Sequence, residues 1–216
     1  KAVFEQWKST DSEELSSKLL QNQELKSILI EETPWLKLAK SQSEQKKRLA
    51  LLFDYNRMAV EKQAAIDKLS QLQLPNGGWA WYKGMQDNRY ISQYIVEGLG
   101  HLKNLGIDLK ADQKLEKMLN NAVSYLDQRA EEDYKKLIEN KADLSKNQLG
   151  RLQIHYLYTR SFFQEIPLPK NQKSYEYYVN QAQEYWLNRG IYEQGLIALA
   201  LHRILPKSPV SEQIQL

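Results

Sequence analysis

The sequence predicts an all-α fold built from antiparallel helical hairpins. Three observations lead there. Glycine (9 of 216 residues) and proline (6) are scarce, while the good helix formers Leu, Gln, Lys and Glu are abundant. Apolar residues recur at three- and four-residue spacing along most of the chain. The breaks between these stretches are short, which makes successive helices antiparallel neighbours. An all-β sandwich would need many more turn residues.

Taken in order, residues 1–9 hold Val3, Phe4 and Trp7 and read as the tail of an earlier element. Lys1 is not a natural first residue, so a mature chain or an excised piece is expected. Thr10-Asp11-Ser12 before Glu13-Glu14 is a helix start, with capping oxygens and then acids in the first turn. Leu15, Leu19, Leu20, Leu25, Ile28 and Leu29 give that helix its apolar face, and Pro34 ends it. Ser41 or Ser43 starts the next helix, which runs to Leu72 either unbroken or with a bend near Asn56. An aromatic loop follows, about 73–89. It holds Pro75-Asn76-Gly77-Gly78 and then Trp79, Trp81 and Tyr82. A linker needs neither exposed aromatics nor a glycine pair, so this loop is read as a joint between helices.

Asn88-Arg89-Tyr90 leads into a helix whose apolar face is Ile91, Tyr94, Ile95, Gly98, Leu99, Leu102 and Leu105, terminated by Gly106. Gly98 and Gly100 each cost about 1 kcal/mol inside a helix, which points to close approach of a neighbouring backbone. Residues 111–140 contain no Gly or Pro and form one long helix. Asp143 or Ser145 caps the next, 145–163, which is apolar nearly all round and therefore buried on more than one side. Residues 172–187 and 190–205 form a tight hairpin about Asn188-Arg189-Gly190. Roughly eight or nine helices result. Helices 145–163 and 190–205 read as inner, and 111–140 and 172–187 as outer. An inner ring inside an outer ring is an α/α toroid, here incomplete, with an irregular helical array or a solenoid as the alternative. The domain reading is a lead-in with one helix over 1–40, the toroid-like array over 41–205, and a tail over 206–216.

Whole-chain numbers bound the function. A net charge of +3 gives no electrostatic reason to expect a nucleic-acid partner, despite the Arg151–Tyr156–Tyr158–Arg160 interleaving. With no cysteine there can be no disulfide, thiolate metal site or Cys nucleophile. No apolar run approaches the ~18 residues of a membrane span. His101, His155 and His202 lie far apart in sequence without metal-ligand spacing, so no metal and no cofactor is expected. The one catalytic alternative is a glycosidase-like site, with Asp87 and Glu97 as the two carboxyl groups and Trp79, Trp81 and Tyr82 stacking a sugar. The structural reading of the same residues is that Asp87 helps to start the helix at Asn88 and that the aromatics pack between helices.

The spacing Gln73-x-x-x-Gly77-x-Trp79 resembles the QW motif of α/α-toroid proteins such as triterpene cyclases. There the Gln amide and the Trp ring tie one hairpin to the next. The acidic catalytic motif of those enzymes is absent, so the resemblance implies the fold and not the activity. Gln73, Gly77, Gly78, Trp79 and Trp81 are the residues that carry it here. A longer resemblance runs through Glu32–Trp35, Leu49–Asp54, Leu72–Tyr82 and Asp87–Leu99. This stretch is similar to the thioester-domain region of bacterial alpha-2-macroglobulins. The family traps proteases, and many members capture them through a thioester between a Cys and a Gln in a Cys-x-Glu-Gln motif. Gln42-Ser43-Glu44-Gln45 echoes the end of that motif with Gln42 where the Cys would stand, so this chain cannot form the bond. The resemblance implies a thioester-less helical domain, not an enzyme. It would lie in the periplasm or at the cell surface, in a parent that is in some cases lipid-anchored. Its partners would be neighbouring domains of the parent chain and, through the parent, proteases.

Overall fold

The computed structural model describes residues 55–170 and 172–206. The expected helix starts at Thr10–Ser12 and at Ser41 or Ser43, the Gln42–Gln45 echo and the tail beyond Pro206 lie outside them. Six α-helices and no strand occur among the described residues. These are α1 (Tyr55–Leu72), α2 (Arg89–Asn104), α3 (Gln113–Glu139), α4 (Arg151–Arg160), α5 (Ser174–Tyr185) and α6 (Ile191–Ile204). Single 3-10 turns extend α4 over Ser161–Phe163 and α5 over Trp186–Asn188. The chain divides into two compact units, 1–68 and 69–216, and α1 contains the boundary. In the first unit, the described side chains from Ala59 to Ala65 are all exposed.

The second unit is a two-row array. Side chains cap α2 and α3, and glycines, Gly150 and Gly190, precede α4 and α6. The Asn88 side chain accepts from the Ile91 N–H, and the Asp112 side chain from the N–H groups of Lys114 and Leu115. Gly106 has φ +84, and the bonds from its N–H to Lys103 and from the Ile107 N–H to Leu102 close α2.

Contacts between helices fix their directions. Along α2 and α4, Gln93 reaches the Leu152 carbonyl (3.0 Å), Glu97 meets His155 and Lys103 reaches the Phe162 carbonyl (2.6 Å). Both sequences ascend together, so the two helices are parallel. Arg151–Glu193 and Arg203–Ser161 give the same sense to α4 and α6. Tyr134–Tyr177 and Glu131–Ser174 do so for α3 and α5. Between rows the sense reverses, because Asp127 meets Tyr156 and Arg160 while Asp133 meets Gln153. Thus α2, α4 and α6 form one parallel row, and α3 and α5 lie antiparallel to it in the other.

The short helix α4 sits at the middle and packs on α2, α3, α5 and α6. Six of its ten residues are buried, with Ile154, Leu157 and Tyr156 among the most enclosed side chains of the molecule. Apolar side chains of this size contribute about 1.5–3 kcal/mol each when fully buried. One buried ion pair crosses the core. The Arg160 guanidinium donates to both carboxylate oxygens of Asp127 (3.0 and 3.3 Å) and to the carbonyls of Phe163 and Ile166. Tyr156 donates its hydroxyl proton to the same carboxylate (2.7 Å). Burial pushes the Asp127 carboxyl up, and the Arg160 charge and the Tyr156 hydrogen bond offset part of that.

Two expectations are corrected here. The helix expected over 145–163 is α-helical only from Arg151 to Arg160. Asp143 and Asn147 do cap backbone, but in turns. Asp143 accepts from Ser145 N–H, and Asn147 from Leu149 N–H. These local bonds compete with the helical ladder, and Gln181 of α5 takes the Gln148 N–H as well. The second correction concerns the α2 glycines. A Cβ on Gly100 would come within 2.5 Å of the Phe162 ring, so a side chain and not a backbone makes the close approach. Gly98 has nothing within 4 Å.

Candidate functional site

The joint 73–88 binds the end of α1, the start of α2 and the middle of α3 together. Gln73 folds its side chain back, and its amide donates to the Gly77 carbonyl and to the Met118 carbonyl on α3, each at 2.9 Å. The Trp79 indole N–H donates to the Leu69 carbonyl (2.9 Å), and its backbone N–H to the Ser92 hydroxyl of α2 (2.8 Å). Trp79 is only 2% exposed. The chain pairs as two isolated antiparallel bridges, Gln73 with Trp79 and Ala80 with Asp87. Between them Gly77 takes φ +90, and its Cα lies against α3, so that a Cβ would fall 2.3 Å from the Asn121 carbonyl oxygen. A Cβ on Gly78 would meet the Tyr125 ring at 2.8 Å. Only glycine satisfies the first position on both counts.

Asp87 closes the joint on its other side. Its carboxylate accepts from Asn76 (3.0 Å), from the Tyr125 hydroxyl (2.6 Å) and from Arg129 (2.8 Å). Arg129 also holds Glu132 at 2.7 Å. Partial burial would raise the Asp87 carboxyl, but the bonds from Tyr125 and Asn76 and the Arg129 charge outweigh it and leave it below its ordinary value. Burial and the Asp87 bond push Tyr125 up in turn. Asp87 therefore gathers three donors, one from the joint and two from α3.

A second polar cluster lies on the α2–α4 side. Glu97 of α2 sits between His155 of α4 (2.6 Å) and His101, one turn along its own helix (3.4 Å). The His155 bond is the main reason the Glu97 carboxyl lies below its ordinary value. The His101 ring packs edge-on to Phe162, and the His155 ring packs near Tyr90, which stacks on Tyr94. No group of His, Asp and Glu among the described residues has the geometry to hold a metal ion. At the far end of α2, two adjoining clefts of about 250 Å³ lie between the loop at Leu109–Lys110 and Glu165. Lys103 and Glu165 pair there at 2.7 Å.

The sequence-predicted residues divide accordingly. Gln73, Gly77, Gly78 and Trp79 come together in the joint. Trp81 does not join them, being 53% exposed beside Tyr82 at 68%. As a stacking surface Trp79 is unavailable, because both faces are buried; Trp81 and Tyr82 are open, but their rings meet at 64° and present no common plane. Asp87 and Glu97 do not flank an open cleft as a pair: one is tied to Asn76, Tyr125 and Arg129, the other lies between two histidines. The Glu97–His155 contact escapes sequence reading because 58 residues separate the partners. Asp127 left a signal. It is an acid on the apolar stripe of Val123, Leu126 and Ala130, and such a residue calls for a buried partner.

Comparison of the chain with protein-family models, curated proteins and solved structures finds no match. Its function must be argued from the residues themselves.

Proposed function

We propose that this chain is a helical, toroid-type domain of a thioester-less relative of the bacterial alpha-2-macroglobulins. It acts as a non-enzymatic scaffold that contributes to non-covalent protease trapping in its parent protein, in the periplasm or at the cell surface. The observation that carries the reading is the coincidence of motif and joint. Of the four stretches that resemble the family, Leu72–Tyr82 and Asp87–Leu99 are also where three helices are tied. Its distinctive residues have structural reasons to be what they are. Gly77 and Gly78 lie against α3, Asn88 caps α2, and Asp87 anchors Asn76, Tyr125 and Arg129. Helices that run parallel within each of two rows and antiparallel between them are compatible with a toroid, which supports the fold half of the proposal. The absence of cysteine from the sequence makes the trapping mechanical, since no thioester can form within it.

The alternative, a carbohydrate-binding or glycoside-cleaving domain, has less support. Binding by ring stacking finds Trp79 buried and the Trp81 and Tyr82 rings at 64° to each other. Cleavage needs two carboxyl groups free to face a glycosidic bond, whereas Asp87 accepts from three donors and Glu97 lies between His101 and His155. The deciding experiment uses the full-length parent. After incubation with a general endopeptidase, cleavage of a small peptide substrate should persist while cleavage of a large protein substrate falls. Pretreatment with methylamine, which opens thioesters, should change neither rate. Undiminished cleavage of the large substrate would overturn the proposal.

A further inference from the structure

We propose that the hairpin tip Trp81–Gln86 is a membrane-docking element that inserts into the headgroup layer of a bilayer carrying anionic lipid. This inference does not depend on the family reading. It starts from an anomaly of exposure. All six residues of the tip are exposed, and three of them are large and apolar or amphipathic: Trp81 (53%), Tyr82 (68%) and Met85 (56%). A soluble surface bears single residues of this kind without consequence, but three on one exposed turn mark a contact site.

The tip is built to hold its shape. The Ala80–Asp87 bridge closes its base, and the Asn88 N–H bonds the Trp79 carbonyl at 2.7 Å just below. At the summit the Met85 N–H bonds the Tyr82 carbonyl (3.1 Å), with Gly84 at φ +88 in the turn. Asp87 fastens the base to α3 through Tyr125 and Arg129. A turn fixed in advance loses little conformational freedom on binding.

Chemistry and size select the partner. Lys83 is the only charged residue of the six, and it is exposed. At the base, Asp87 and Glu132 share one cation, Arg129, and stay 20% and 35% exposed, so the charge of the tip itself is that of Lys83 alone. The protruding part thus carries one cation and no anion, which complements anionic headgroups. Trp and Tyr are the side chains that settle at the membrane–water boundary, with the ring body in the apolar layer and the polar atom in the wet one. The three exposed side chains offer on the order of 400 Å² of surface, taking roughly 200 Å² for each fully exposed ring or thioether. A stable protein interface takes about 800 Å² from each partner. The tip is too small for that, while a bilayer requires no matching surface.

The test uses the full 216-residue chain with sonicated vesicles, either pure phosphatidylcholine or an equal mixture with phosphatidylglycerol. Binding is read by co-sedimentation, and depth by quenching of tryptophan fluorescence with lipids brominated on the acyl chain. Wild type should partition to the anionic vesicles and be quenched. Lys83→Gln should weaken partitioning by roughly fivefold and Lys83→Glu by roughly 25-fold, one step for each charge changed. Trp81→Phe should still partition but lose the share of the quenching that the Trp81 indole supplies. Circular dichroism matching wild type confirms that these exposed substitutions leave the fold intact. Failure of wild type to partition would overturn the proposal. Undiminished quenching in Trp81→Phe, or indifference to the charge at Lys83, would overturn it too.

Discussion

Gly77→Ala tests whether the joint is held by packing against α3 or merely by a turn that prefers glycine. Gly84 supplies the control. Both glycines have nearly the same positive φ, +90 and +88, so both alanines suffer similar backbone strain. That strain is about 1–2 kcal/mol, offset in part by the lower entropy of the unfolded alanine chain. Gly84 has nothing within 4 Å, so Gly84→Ala should cost only about 1 kcal/mol. At Gly77 the new Cβ meets the Asn121 carbonyl oxygen at 2.3 Å and its carbon at 2.8 Å, where ordinary contact begins at 3.4 Å. Asn121 is in the interior of α3 and its backbone cannot give way, so the loop must withdraw by about 1 Å. That distance takes the Gln73–Met118 bond from 2.9 Å out of hydrogen-bond range, a loss of about 1 kcal/mol. It also loosens Trp79 in its buried seat, for a further 1 kcal/mol or so of packing. Gly77→Ala should therefore cost about 3–4 kcal/mol. Urea unfolding followed by circular dichroism, with the two midpoints compared at equal slope, measures the difference. Equal losses from the two substitutions, within about 0.5 kcal/mol, would refute the account.

Three further predictions concern the array. Asp127→Ala leaves the buried Arg160 guanidinium without a counter-charge and should lower the unfolding free energy by about 3–5 kcal/mol, measured in urea. Tyr156→Phe, which removes one hydrogen bond to that carboxylate, should cost only about 1–2 kcal/mol. The Glu97 carboxyl has a folded value below its unfolded value of 4.5, so its pairing stabilises the fold above that pH and is lost as the pH falls through the folded value. Wild type should consequently lose more stability than Glu97→Gln between about pH 6 and about pH 3, and parallel pH profiles would contradict this. Finally, Gly98→Ala enters open space in α2 and should stabilise by about 1 kcal/mol, while Gly100→Ala runs into the Phe162 ring and should destabilise by about 1–3 kcal/mol, both read from thermal midpoints.

The parts of the fold legible in the sequence are those set by near neighbours. Asn88 caps α2 because its own side chain reaches the Ile91 N–H three residues on. Gly106 ends the same helix because its backbone alone turns the chain. The long α3 needs only a cap at Asp112 and the absence of breakers. The start of α4 was not legible, for a reason of the same local kind. Asp143 could cap a helix or a turn, and the choice went to the turn when Gln181 of α5 took the Gln148 N–H. A tertiary bond decided between two local options of similar energy. The periodicity set Gly98 on the apolar face, yet Gly98 is exposed and Gly100 is the inward glycine, because the contact that decides it comes from Phe162, 62 residues away.

What joins the candidate sites is the offset between parallel helices. In the α2–α4 pair the offset brings residue 97 to 155 and residue 93 to 152, so two unremarkable positions become an ion pair. Sequence periodicity identifies the face on which Glu97 and His101 lie, one turn apart, but not the height at which α4 meets it. That height is fixed elsewhere, by how the joint seats the start of α2 on α3 and by how Asp127 of α3 receives Tyr156 and Arg160 of α4. Gln73, Gly77, Trp79 and Asp87 therefore act at a distance. By fixing α2 against α3 they also fix which residues of α2 face α4, and a loosened joint would misalign Glu97 and His155 without touching either. Gly77→Ala should accordingly flatten the part of the acid stability profile that Glu97 supplies, and if that part survives unchanged the two sites are set independently.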